Sequence, residues 1–166
     1  MHYPALTIVL FCIALVGCAA IDEAIENSLC ERSRAANRIA SAAHKADRLA
    51  RAALLSTDTE NAEEVAAASL AVSKATSRAL QIVSHASDDL GVYYDATAAH
   101  LLKSVTAANA AALDASEAMI EALSDDRDAI LVERAVAAER ATVNATGAAL
   151  KAARRAVTLF RRPGCS

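Results

Sequence analysis

No proline stands between Pro4 and Pro163, and past the first twenty residues the only glycines before the tail are Gly91 and Gly147. The two residue types that most disfavour a helix interior are thus nearly missing, and helices are free to run long. Alanine, the strongest helix former, fills 44 of 166 positions. A mean hydropathy of +0.25 with 22% charged residues argues against a disordered polar chain. Only 3% of residues are aromatic, and the turn-bounded β-branched runs of sandwiches and βαβ folds are absent. The net charge of −3 excludes a nucleic-acid binder that works by bulk positive charge.

The first twenty residues read as a targeting segment. Tyr3 to Ile21 carries no charge, and Ala5 to Val16 is an unbroken run of a dozen mostly apolar residues. That is the length of a signal-peptide core and too short to span a bilayer of about 30 Å as a helix. Small residues follow at Gly17, Cys18, Ala19 and Ala20, so cleavage after Ala20 is expected and residues 1–20 are assigned to a signal peptide. A second reading stays open. Leu15-Val16-Gly17-Cys18 has the form of a bacterial lipobox, in which Cys18 would be lipidated and become the first mature residue. The lack of Lys or Arg in Met1 to Pro4 suits eukaryotic secretion better.

Three polar breaks divide the rest. Ser56 to Glu60 places Thr57 and Glu60 at capping-box spacing. Asp88-Asp89-Leu90-Gly91 ends on a glycine C-cap. Ser124 to Asp128 supplies N-cap and acidic first-turn residues. The segments 21–55, 59–88, 93–123 and 126–161 are each about 45 Å long if helical. Near-equal lengths and short connections predict an all-α, elongated, antiparallel four-helix bundle over 21–162, with a short tail at 163–166; three helices are the alternative. Heptad rows give it a coiled-coil-like, alanine-rich core. In the last segment Ala129, Val136, Val143, Leu150 and Val157 form one row. Val132, Ala153 and Phe160 belong to the other, interrupted by Glu139 and Thr146. In the first, Ile25, Ile39, Ala46 and Ala53 alternate with Ala35, Ala42 and Leu49, and Arg32 breaks the row. The third offers Ala98, Leu101, Val105, Ala108, Ala112, Ala115 and Met119. Buried alanine contributes about 1 kcal/mol or less each, so such a bundle calls for a disulfide, length or self-association.

No catalytic constellation emerges. His44, His85 and His100 lie in neither HExxH nor ExxH spacing, although His85 and His100 flank the Gly91 turn and could share a metal. They read more simply as surface histidines, and no metal or cofactor is expected. Ser69, Ser73, Ser77, Ser84 and Ser87 sit in neither G-x-S-x-G nor S-x-x-K. Tyr93 and Tyr94 follow the turn, either as a binding tip or as a cap on the core. Lys151, Arg154, Arg155, Arg161 and Arg162 form a basic end. It either complements the helix dipole and the acidic start Asp22, Glu23 and Glu26, or touches anionic lipid or glycan. Asn144-Ala145-Thr146 is an N-glycosylation sequon on a helix flank, meaningful only on a eukaryotic secretory route.

Removal of residues 1–20 leaves Cys30 and Cys165, an even number that suggests one bridge in an oxidising compartment. With four alternating helices the chain's two ends lie together. Cys30 sits about 14 Å along the first helix, and the tail from Arg161 reaches back about 16 Å when extended. Pro163-Gly164 suits the reversal. Three helices would hold the cysteines apart. Two free or intermolecular thiols are the alternative.

The stretch 18–55, with Cys18-Ala-Ala-Ile-Asp-Glu-Ala24, Ser28-Leu-Cys-Glu31 and Ala35-Ala-Asn-Arg-Ile-Ala40, resembles the glutamic-acid/alanine-rich type of trypanosome surface protein. Haptoglobin–haemoglobin receptors and, more distantly, variant surface glycoproteins are relatives of that type. The resemblance implies an elongated bundle that coats a cell or binds a host ligand. Such proteins usually end in a hydrophobic tail exchanged for a lipid anchor, whereas this sequence ends Phe160-Arg-Arg-Pro-Gly-Cys-Ser166. The expected function is therefore a secreted or cell-surface helical structural or binding protein without catalysis. Its expected partner is a protein or surface ligand, with self-association or membrane contact through an anchor or the basic end. The alternative is a bacterial alanine-rich lipoprotein held at the membrane by Cys18.

Overall fold

The computed structural model describes the backbone of residues 4–57, 62–92, 95–124 and 129–165, and the side chains of 24–57, 63–92, 95–124 and 129–165. Five helices follow in order: α1 (Pro4–Ser56), α2 (Ala62–His85), α3 (Ser87–Leu90), α4 (Ala96–Ser124) and α5 (Ala129–Phe160). No strand occurs among the described residues. The four long helices alternate in direction. α1 packs on α2 and α5, and α4 packs on α2 and α5, so α1 and α4 lie on one diagonal of a square. This is the expected four-helix bundle, and the three-helix alternative falls.

Each helix presents one strict 3–4 row to the centre. In α2 the buried row is Val65, Ser69, Val72, Thr76, Ala79, Val83, with Ala86 and Leu90 continuing it through α3. In α1 it is Ala36, Ile39, Ala43, Ala46, Ala50 and Ala53. In α4 every residue of the expected row is buried, and Ser104, Ala118 and Ala122 join it. A sustained 3.5-residue period is the pattern of knobs-into-holes packing. A minute void closed by Ala43, Ala46, Thr76, Ala79, Val105, Ala108, Thr146 and Ala149 shows all four helices meeting at mid-height.

The expected rows of α5 and α1 are corrected. In α5, Glu139, Thr146 and Ala153 do face the core, but their partners are Ala135, Thr142, Ala149 and Ala156. Of the other expected row only Leu150 is buried; Val136, Val143 and Val157 sit half-buried on the flank, Ala129 is exposed, and Val132 is 38% exposed. Helices that approach closely put their small residues inward and push branched ones to the seam's edge. In α1, Ile25 is 53% exposed because it lies beyond the reach of the neighbouring helices, and Ala42 and Leu49 are half-buried. α1 also runs without a break past Ala20, so the helix itself has no boundary at the expected cleavage position.

The polar breaks fall where expected, with different chemistry at two of them. Gly91 is the left-handed C-cap, at φ 67°, a conformation that costs glycine nothing. Asp95 caps α4, its Oδ1 accepting from the N–H of Thr97 at 2.8 Å and of Ala98 at 3.1 Å. The Thr57 hydroxyl donates back to the Leu54 carbonyl at 2.7 Å and so finishes α1. Its expected capping partner Glu60 lies outside the described residues. Ser124 likewise donates to the Ile120 carbonyl and closes α4, and residues 125–128, with the remaining expected caps, lie outside the described residues.

Candidate interaction surface

Cys30 and Cys165 are joined, with Cα atoms 5.1 Å apart and 135 residues of chain between them. The reach comes from a turn at residues 162–165. Gly164 takes φ 87° there, and the Cys165 N–H donates to the Arg162 carbonyl. Beside the bridge, Arg32 does more than interrupt a row. Its guanidinium pairs with Asp95 and lies 4.0 Å over the centre of the Phe160 ring. One side chain thus ties α1 to the cap of α4 and the end of α5. Partial burial works against the Asp95 charge, but the Ala98 and Thr97 N–H groups and Arg32 outweigh it and hold the carboxyl below its usual range.

The carboxylate of Glu139, buried where Asp95 is only partly so, has no such support. Glu139 is 1% exposed, and neither carboxyl oxygen has a hydrogen-bond partner. Burial pushes its pKa up, with the Ser69 hydroxyl opposing. The Ser69 oxygen is itself buried and unpartnered by hydrogen-bond geometry. Elsewhere in the core hydroxyls are satisfied: Thr142 donates to the Ala111 carbonyl across the α4–α5 seam at 2.9 Å, and Thr146 to the Thr142 carbonyl at 2.9 Å.

Among the described residues a groove of about 850 Å³ runs between α1 and α2. Its floor is apolar, made by Ala42, Leu49, Ala71, Ala75 and Ile82. Its rims carry Arg38 and Lys45 from α1 and Lys74 and Arg78 from α2, and no acid lines it. The ion pairs among the described residues are Arg32–Asp95, Arg51–Asp47 and Arg134–Glu121, none of which neutralises these four cations. Four like charges along an apolar trough attract an anionic, partly apolar partner. These residues were missed in the sequence, yet a signal was there: Val65 to His85 contains Lys74, Arg78 and His85 and no acid at all.

The other expected site residues are dispersed. Asn144 is exposed on α5, while the sequon's Thr146 is buried. His44, His85 and His100 are all exposed, and among the described residues no three His, Cys, Asp or Glu side chains gather as metal ligands. Ser69 and Ser73 are buried, Ser77 donates to Asn109 at 2.8 Å, and Ser87 donates to the Ser84 carbonyl. Tyr93 and Tyr94 lie outside the described residues, as do the side chains of Cys12, Cys18, Asp22 and Glu23. Lys151, Arg154, Arg155, Arg161 and Arg162 are exposed without an ion pair among the described residues, although Arg162 and Glu26 line one small cavity where the chain ends meet. Among the described residues no helix is long and apolar enough to cross a membrane. No family model, no curated protein and no solved structure matches the chain.

Proposed function

We propose that this protein is exported to an oxidising compartment and acts there as a disulfide-closed helical scaffold that binds a partner without transforming it. The observation that carries this reading is the Cys30–Cys165 bridge, which fastens the tail to the first helix of an otherwise alanine-cored bundle. Such bridges persist in secreted and periplasmic proteins and are rare in reducing compartments. The short apolar leader Ala5 to Val16 supports the same route. The α1/α2 groove is the contact surface in this reading, and a surface-coat or host-ligand role is its narrower form. Bacterial lipoprotein is the second reading, favoured by Leu15-Val16-Gly17-Cys18. Intact-mass analysis of protein isolated from its source, with and without thiol alkylation, tests the proposal. A chain starting at Ile21 with no alkylatable thiol supports export. A diacylglyceryl Cys18 supports the lipoprotein form. An intact Met1 with free Cys30 and Cys165 overturns both.

A further inference from the structure

The bundle leaves almost as many large apolar side chains outside as it buries. Ile25, Leu55, Leu70, Leu113, Ile120, Ile130, Val132 and Leu159 are exposed, against a core whose large aliphatics are few. Two of them form a pattern. Leu113 and Ile120 stand seven residues apart on α4 and so share one edge of its outer face. Asp114 and Glu117 are exposed beside them, and Glu121, also exposed, is held by Arg134. From Ser104 to Ser124 the chain has three acids and no base. The α4 face is thus an acidic, apolar-edged ridge. The α1/α2 groove has the reverse charge on an apolar floor. Leu113 to Ile120, with Ala110 before them, spans about 15 Å, and the groove from Arg38 to Leu49 about 16 Å, at helical rise. α4 sits diagonally from α1, so a chain's own ridge does not reach its own groove.

We propose that the groove's occupant is a second copy of this chain, with the α4 ridge of one molecule seated between α1 and α2 of the next. Lys74 and Arg78 meet Asp114 or Glu117, and Leu113 and Ile120 lie on the alanine floor. Alanines at 42, 71 and 75 let a helix approach closely, as an amphipathic helix does in a groove. The inference rests on reading the groove as a contact surface, and its failure leaves the export proposal untouched.

The test is sedimentation equilibrium of the oxidised protein as isolated, beside two charge-reversed variants, K74E/R78E and D114K/E117K. The four positions are exposed, so both variants keep the helical content and thermal transition of the parent. The parent is expected to associate at about 0.15 M salt and to dissociate at about 1 M. Each variant alone should associate about ten-fold more weakly or worse. Mixed together, they should recover association, because the surviving ridge of one meets the surviving groove of the other and the two reversed surfaces also carry opposite charges. A parent that stays monomeric at every concentration, or variants whose mixture gains nothing, overturns the inference. If the parent is monomeric but binds phosphatidylglycerol vesicles through Lys74 and Arg78, the second-copy occupant is wrong and the groove reading stands.

Discussion

The two ends of this bundle are built differently. Where the chain's ends meet, a disulfide, the Arg32–Asp95 pair, the Arg32–Phe160 stack and the Gly91 and Asp95 caps fall within a few turns of one another. The largest aliphatics, Ile39, Val83, Leu90 and Leu101, fill the core there. Toward the other end the core shrinks to Val65, Ala118, Met119, Ala122 and Ala135. Glu139 and Ser69 sit unsatisfied just inside it, and Leu55, Ile120, Ile130 and Val132 are exposed around it. Alanine seams build helices readily but bury little area, so what stabilises each end is whatever specific device it carries. One end has several, and the other has a buried acid.

The largest way to break this contrast is to open the bridge. A C30S variant should lose about 4–5 kcal/mol of stability, because the closed loop is long and its entropy returns to the unfolded chain. Thermal melts with and without reductant check it, and a C30S melt equal to the parent's contradicts it. Next is Glu139. An unpartnered buried acid costs about 1–3 kcal/mol, so E139L should raise the melting temperature at neutral pH. The sign follows from the raised pKa: the folded state favours the protonated acid. Glu139 therefore contributes its stability at low pH, and that contribution is lost as pH rises through its raised value. E139Q should flatten this slope, read by denaturant titration across pH.

Asp95 runs the opposite way. Its folded pKa is lowered, so its contribution is present above the unfolded value and is lost as pH falls through the lowered one. D95A removes a cap and leaves Arg32 half-buried without its partner, a loss of about 1–2 kcal/mol. It should mute the acid limb of the stability curve and leave the Glu139 limb in place. The smallest effect is at the open rim. I130S, at a side chain 75% exposed, should change stability by about 0.5 kcal/mol or less.

Much of this architecture was legible in the sequence, for reasons that differ by helix. The α4 row is correct throughout because Leu101, Val105 and Met119 mark one face against small neighbours. In α5 the larger Val136, Val143 and Val157 suggested a row one residue away from the true one. Alanine on every face erases the contrast that periodicity depends on, and packing then selects the smallest residues for the seam. The Cys30–Cys165 pairing was readable because alternating helices of equal length bring the chain's ends together. The Arg32–Asp95–Phe160 cluster was not, because Arg32 and Asp95 lie 63 residues apart in sequence and meet only through a turn that Gly91 caps, with Phe160 brought in from a third helix. The cationic groove needed the pairing of α1 with α2, though the acid-free run in α2 hinted at it.

Native-state hydrogen exchange on the oxidised protein, followed amide by amide, tests the polarity of the bundle directly. Amides around Ile39, Val83, Leu101 and Ala153 should exchange only through global unfolding. Those around Val65, Met119, Ala135 and Glu139 should exchange through a smaller opening at lower free energy, and the gap should widen as pH rises and Glu139 ionises. Equal protection free energies at both ends, unchanged by pH, would contradict the account.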